Sequence, residues 1–121
     1  MYKVRRKVKI NGKVRTAHCF VIPEHDKIVA KIRGCQTDAI EMFVRDTGFL
    51  PMDPERFMMQ DTYCATVNRH PDDEWDETAG VDAAVAKLAG NYTAACNRKV
   101  EYMKAYIADK LTEARFKDLH K

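Results

Sequence analysis

The sequence predicts an α+β domain: an antiparallel sheet of about four strands, one short helix, and a long C-terminal helix packed on the sheet and extending to a dimer contact. Three observations carry this. Residues 1–33 alternate apolar and polar side chains around an Asn-Gly pair, "DTYCATVN" repeats the alternation at 61–68, and from Asp73 onward apolar residues step by threes and fours.

The chain opens on "MYKVRRKVKINGKVR", two short runs joined by Asn11-Gly12, a pair that tolerates the positive φ angles of tight hairpin turns. Two registers are open to it. A two-residue loop pairs Ile10 with Lys13 and Val8 with Arg15, mixing apolar and charged side chains on each face. A three-residue loop, Ile10-Asn11-Gly12 with Gly12 left-handed, pairs Lys9 with Lys13, Val8 with Val14, Lys7 with Arg15 and Val4 with His18. It separates Tyr2, Val4, Val8, Val14 and Phe20 from Lys3, Arg5, Lys7, Lys9, Lys13 and Arg15, with Arg6 and Thr16 interrupting the apolar side. A one-residue slip turns every side chain over, so the cleaner split is expected, with the basic face outward and Tyr2 and His18 toward the core.

The second strand runs to about Ile22 and a turn follows at 23–26. Ile28, Ala30 and Ile32, alternating with Val29, Lys31 and Arg33, mark a third strand over 27–33. A short helix over 38–46 has Thr37 as N-cap candidate, Ile40, Phe43 and Val44 at helical spacing, and Gly48 as its stop. "FLPMDPERFMM" reads as a loop in which Asp53, before Pro54, opens one helical turn. In the fourth strand, Tyr63, Ala65 and Val67 share a side.

From Asp73 to about Asp118, Val81, Val85, Leu88, Tyr92, Cys96, Val100, Met103, Ile107, Leu111 and Ala114 make one stripe, with Lys87, Arg98, Lys104 and Glu113 opposite. At Gly90-Asn91 one helix can end and another start. The stripe keeps phase there, so a continuous helix is expected over one that folds back. Such a helix spans about 65 Å. Its far half bears Val100, Met103, Tyr106, Ile107 and Leu111 and needs a cover, which a second copy of the helix can supply. A homodimer through those residues is the expectation.

A chain of 121 residues, 45% hydrophobic and 32% charged, fits one folded domain over 1–121. No apolar run reaches membrane length and no hydrophobic stretch follows the basic N-terminus, which points to a cytoplasmic protein without anchor or secretory signal. Cys19, Cys35, Cys64 and Cys96 form no C-x-x-C pair and read as free thiols. His18, Cys19, His25 and Cys35 lack the spacing of a zinc site, so neither metal nor cofactor is expected. The formal charge of +3 is unevenly spread: cations crowd the hairpin, while "DDEWDE" at 72–77 concentrates acid.

In "NRHPDDEWDETAGVDAAVAKLAG", Pro71 ends a strand, Asp72 or Asp73 can cap the first free amides, and Asp76 and Glu77 sit in the first helical turn, where the helix dipole favours negative charge. Gly80 and Ala84 leave a strip through which the helix can approach the sheet, beside Trp75. Together His70, Pro71, Asp73, Trp75, Asp76, Gly80, Ala84 and Ala86 resemble a box of small bacteriophage and prophage accessory proteins. Two positions depart from it: Arg69 stands where the box has Cys, and Trp75 where it has Phe. The resemblance covers residues 62–90. It implies an origin in a mobile element and supplies no activity, and no role of that Cys carries over.

His70 beside Asp72, Asp73 and Asp76 is the candidate for general-base or metal-assisted chemistry. It lacks a second His nearby, a phosphate loop, a nucleophile elbow and a His-Glu-x-x-His helix, so an enzyme is not expected. The resemblance, the size and the two oppositely charged surfaces point to a non-catalytic phage protein that binds and inhibits a host defence nuclease, in the manner of anti-CRISPR proteins, with Asp72, Asp73 and Asp76 as a candidate acidic contact. The alternative is a nucleic-acid-binding module in which Lys3, Arg5, Lys7, Lys9, Lys13 and Arg15 neutralise phosphates. In both, the basic hairpin faces the partner. Lysine-rich edge strands also serve simply to deter sheet-to-sheet aggregation.

Overall fold

A computed structural model of the protein describes residues 1–70 and 72–119. β1 (Tyr2–Ile10), β2 (Lys13–Ile22), β3 (Lys27–Ile32) and β4 (Tyr63–Asn68) form one antiparallel sheet in the order β1-β2-β3-β4. A short helix, α1 (Asp38–Thr47), and a long C-terminal helix, α2 (Glu77–Leu119), complete the α+β fold, with 3-10 turns at Pro23–His25 and Pro54–Phe57. The chain divides into two compact units. One holds residues 1–35 and 60–94, the other residues 36–59 with α2 from Ala95 onward.

The first hairpin corrects the expected register. Ile10 pairs with Lys13, Lys9 with Val14 and Val8 with Arg15, so the loop is the two residues Asn11 and Gly12, at φ 54° and 80°. Both angles are positive, as a type I′ turn requires, and this turn matches the right-handed twist of paired strands. Turn chemistry therefore outweighs separation of the faces. Two charges of the mixed inner face are engaged there: Arg6 approaches Asp82 at 3.8 Å, and Arg15 is bonded within the unit as described below.

Against the inner face of the sheet lies the first half of α2. Ala17, Cys19, Val21, Ile28, Ala30, Ile32 and Ala65 are buried there, and α2 contributes Val81, Ala84, Leu88 and Tyr92. Tyr92 stacks at a tilt on Tyr63, 4.8 Å between ring centroids. The strip expected at Gly80 exists: a Cβ built there would stand 2.5 Å from Cδ1 of Ile28, so a larger residue at this approach requires the Ile28 side chain to move. α2 begins one turn later than expected. Asp76, rather than Asp72 or Asp73, caps it, its Oδ1 accepting the Ala79 N–H at 3.0 Å. The strand end expected at Pro71 lies outside the described residues.

α2 is unbroken through Gly90 and Asn91. A single helical glycine costs only about 1 kcal/mol against alanine, less than the burial of Leu88 and Tyr92 on either side of it returns.

In the second unit α1 ends at Gly48, at φ 82°, whose N–H reaches the Val44 carbonyl. Thr37 holds the N-cap position without a side-chain cap bond. The loop at 49–59 is where the expectation of a dimer contact fails for two residues. Phe57 is buried, its ring 5.5 Å from that of Tyr102 and 5.4 Å from that of Tyr106. Met59 meets Cys96 at 3.8 Å between sulfurs, and Tyr106 donates its hydroxyl to Asp53 at 2.7 Å. Val100 and Met103 are 3% and 0% exposed, within the chain itself. They need no second copy to cover them. Tyr106 and Ile107 are half-buried, and of the five residues only Leu111, at 62%, is openly exposed.

Candidate nucleic-acid interface

With the register fixed, each side chain of the sheet has a face. Lys3, Arg5, Lys7 and Lys9 point outward from β1, and Val14, Thr16, His18 and Phe20 from β2. From β3 and β4 come Val29, Lys31, Cys64 and Thr66. Two rows cross all four strands: Lys3, Phe20, Val29 and Thr66, then Arg5, His18, Lys31 and Cys64. No residue of this face is buried, whereas every buried strand residue lies on the inner face. The face is open.

Its charge has one sign. The four strands hold Lys3, Arg5, Arg6, Lys7, Lys9, Lys13, Arg15, Lys27 and Lys31 and no Asp or Glu. Outward residues of β1 recur every second position, so Lys3 to Lys9 form a column about 20 Å long at roughly 3.3 Å per residue. Lys7 leans onto the Thr16 hydroxyl at 2.8 Å. Burial, and then Lys3, Arg5 and Arg33 around it, hold the His18 imidazole below its ordinary pKa. The neighbouring cations thus add to burial in disfavouring a proton on His18.

Of the six hairpin cations expected on one outward face, Lys3, Arg5, Lys7 and Lys9 lie on the open face of the sheet. The other two are corrected. Arg15 is 8% exposed on the inner face, donating from Nη1 to the Arg33 carbonyl at 2.7 Å and from Nη2 to the Gly34 carbonyl at 3.3 Å, with its guanidinium 5.9 Å from the Tyr92 ring. It is a structural pin between hairpin and β3. Lys13, opposite Ile10, belongs to the same inner side at the exposed tip. In their place stand Lys31, Arg33, His18 and Phe20, which with Lys3 line a hollow of about 110 Å³. Lys31 and Arg33 lie on the polar side of the third strand in the sequence as well, beyond the hairpin to which the expected site is confined, whereas the expected register turns His18 and Phe20 inward and so leaves them out. Asn11-Gly12, a pair suited to both central positions of a two-residue loop, was the signal for them.

The acidic segment is dispersed. Asp76 caps α2, Glu77 accepts the Tyr2 hydroxyl at 2.5 Å, and Asp72 lies beside His70 at 3.7 Å. The bond to Glu77, with desolvation and the carboxylate's charge, raises the Tyr2 pKa. Arg69 binds the Asp26 carboxylate at 2.9 Å and also donates to the Asp73 carbonyl. Asp73 and Asp76 share a cavity of about 220 Å³ with Trp75, Asp26 and Gly80; Asp72 is outside its lining. Among the described residues no three His, Cys, Asp or Glu side chains gather as metal ligands, and no helix is long and apolar enough to cross a membrane. Cys19, Cys35 and Cys96 are buried and Cys64 is exposed, and none of the four is joined in a disulfide. Comparison with protein-family models, with curated proteins and with solved structures gives no match to this chain.

Proposed function

We propose that the protein is a non-catalytic nucleic-acid-binding module whose outer sheet face takes the phosphate backbone. The observation that carries this reading is the open face itself, set with Lys3, Arg5, Lys7, Lys9 and Lys31 on strands without a carboxylate. Lysine and arginine so placed release counterions from each phosphate they neutralise, which rewards binding without regard to sequence. Titrating a labelled oligonucleotide across a salt series tests it. Replacing Lys3, Arg5, Lys7 and Lys9 by glutamine should flatten the slope of log affinity against log salt by about 3 for a single strand. A protein that does not bind at low salt sinks the reading.

The phage-inhibitor reading joins this one through the same face, since an RNA-guided nuclease presents a guide backbone to grip. Its acidic arm has less support, because Asp76 and Glu77 are engaged within the chain. Co-purification with such a nuclease, lost on reversing the β1 charges and kept on reversing Asp72 and Asp73, is the outcome that favours it. A homodimer, if formed, would use the exposed end of α2, at Leu111, Phe116 and Leu119.

A further inference from the structure

A phosphate track needs only cations, yet the hollow lined by Lys3, His18, Lys31 and Arg33 also has the half-buried ring of Phe20 in its wall. Val29 and Lys3 flank the ring in its row across the sheet. A ligand served by both parts is flat and aromatic in the middle and anionic at its edges. A nucleotide within a strand fits that description, because any base offers a π-face to stack on and a phosphate on either side.

Resting on the nucleic-acid reading above, we propose that this hollow is a base subsite: an unpaired base of a single strand stacks on Phe20, while the neighbouring phosphates lie on the β1 column and on Lys31 and Arg33. A duplex is the poorer ligand for two reasons. Its bases are stacked on one another, out of reach of a ring on a flat face. The β1-β2 ribbon, moreover, is not free to enter a groove, since Ile10 and Arg15 on its inner side are 2% and 8% exposed. What remains accessible is the outer face alone, which suits a splayed strand.

The test compares three ligands of equal length by fluorescence anisotropy at one salt concentration: a pyrimidine single strand, the same strand made abasic, and its duplex. Stacking of one base predicts that the full strand binds about 5- to 150-fold tighter than the abasic strand, which carries the same phosphates. Phe20→Leu should erase that difference while leaving the salt slope and the abasic affinity in place. The duplex, whose bases stay stacked, should bind the unaltered protein and Phe20→Leu equally well. Equal binding of full and abasic strands by the unaltered protein overturns the base subsite and leaves the phosphate track standing. Binding of none of the three removes the nucleic-acid reading itself. The comparison of strands on the unaltered protein decides the matter even if Phe20→Leu fails to fold.

Discussion

Arg15 donates to the Arg33 carbonyl at 2.7 Å, tying the second strand of the hairpin to the end of the third. A cation that the alternation of the sequence assigns to a partner is in this way spent inside the molecule. Arg15→Gln strips charged donors from two carbonyls and is expected to cost about 3 kcal/mol of stability in urea unfolding. Lys7→Gln, on the open face, should change stability by less than about 0.5 kcal/mol while weakening nucleic-acid binding. Equal stability of the two variants would show that Arg15 is not a pin.

Gly80 and Ile28 are a coupled pair. Gly80→Ala adds helix propensity of about 1 kcal/mol and forces a methyl group against Cδ1 of Ile28. Overpacking of this kind costs about 1–3 kcal/mol, so a net loss is expected. Ile28→Val removes the clashing carbon, and the double variant should be more stable than the sum of the single effects by about 1 kcal/mol. Strict additivity would mean that the helix simply shifts to make room.

Met103→Ala should cost about 2–5 kcal/mol, as a large buried side chain does. Since Met103 is buried by its own chain, the loss should not vary with protein concentration. A loss that grows on dilution would return Met103 to a contact between copies.

His18 gives two pH effects of opposite sign. Its pKa in the fold is held below the ordinary 6.5, so the unfolded chain binds the proton more readily. The stability it contributes is present above that value and is lost as pH falls through the folded-state pKa. Burial is the larger cause, and Lys3, Arg5 and Arg33 around it make the penalty electrostatic in part. A bound phosphate offsets those cations, so nucleic-acid affinity should rise over the same fall in pH. His18→Gln should flatten both trends, in urea midpoints and in binding titrations compared with the unaltered protein. A pH dependence of affinity that survives this substitution would assign the proton elsewhere.

Much of the fold is legible in the sequence, and the failures have specific causes. The alternation of Ile28, Ala30 and Ile32 and the stripe from Val81 to Met103 survive because burial on one face imposes a period on the chain. Phe57 and Met59 carry no such period; one ends a single 3-10 turn and the other follows it, so no pattern marks them as packing on α2 at Tyr102, Tyr106 and Cys96. The three aspartates before α2 are chemically equal as caps, and only geometry selects Asp76. The site was half legible. Its cations were visible, but their faces depend on a register that a turn of two residues decides, and Phe20 and His18 came to light only with it.

The spacing of the strands along the chain also dictates an order of events in time. β1, β2 and β3 are joined by the short connections at 11–12 and 23–26, whereas β4 waits beyond residues 33–62. Closing a long loop costs entropy before its contacts return anything, so pairing over the short turns should come first and β4 last. Pulse-labelled hydrogen exchange during refolding should protect β2 amides ahead of those in β4. Simultaneous protection would mean that the sheet assembles in one step. In the expected order the basic face already has its columns from β1 and β2 before the sheet is complete, and a nascent chain could engage a polyanion while its fourth strand is still unpaired.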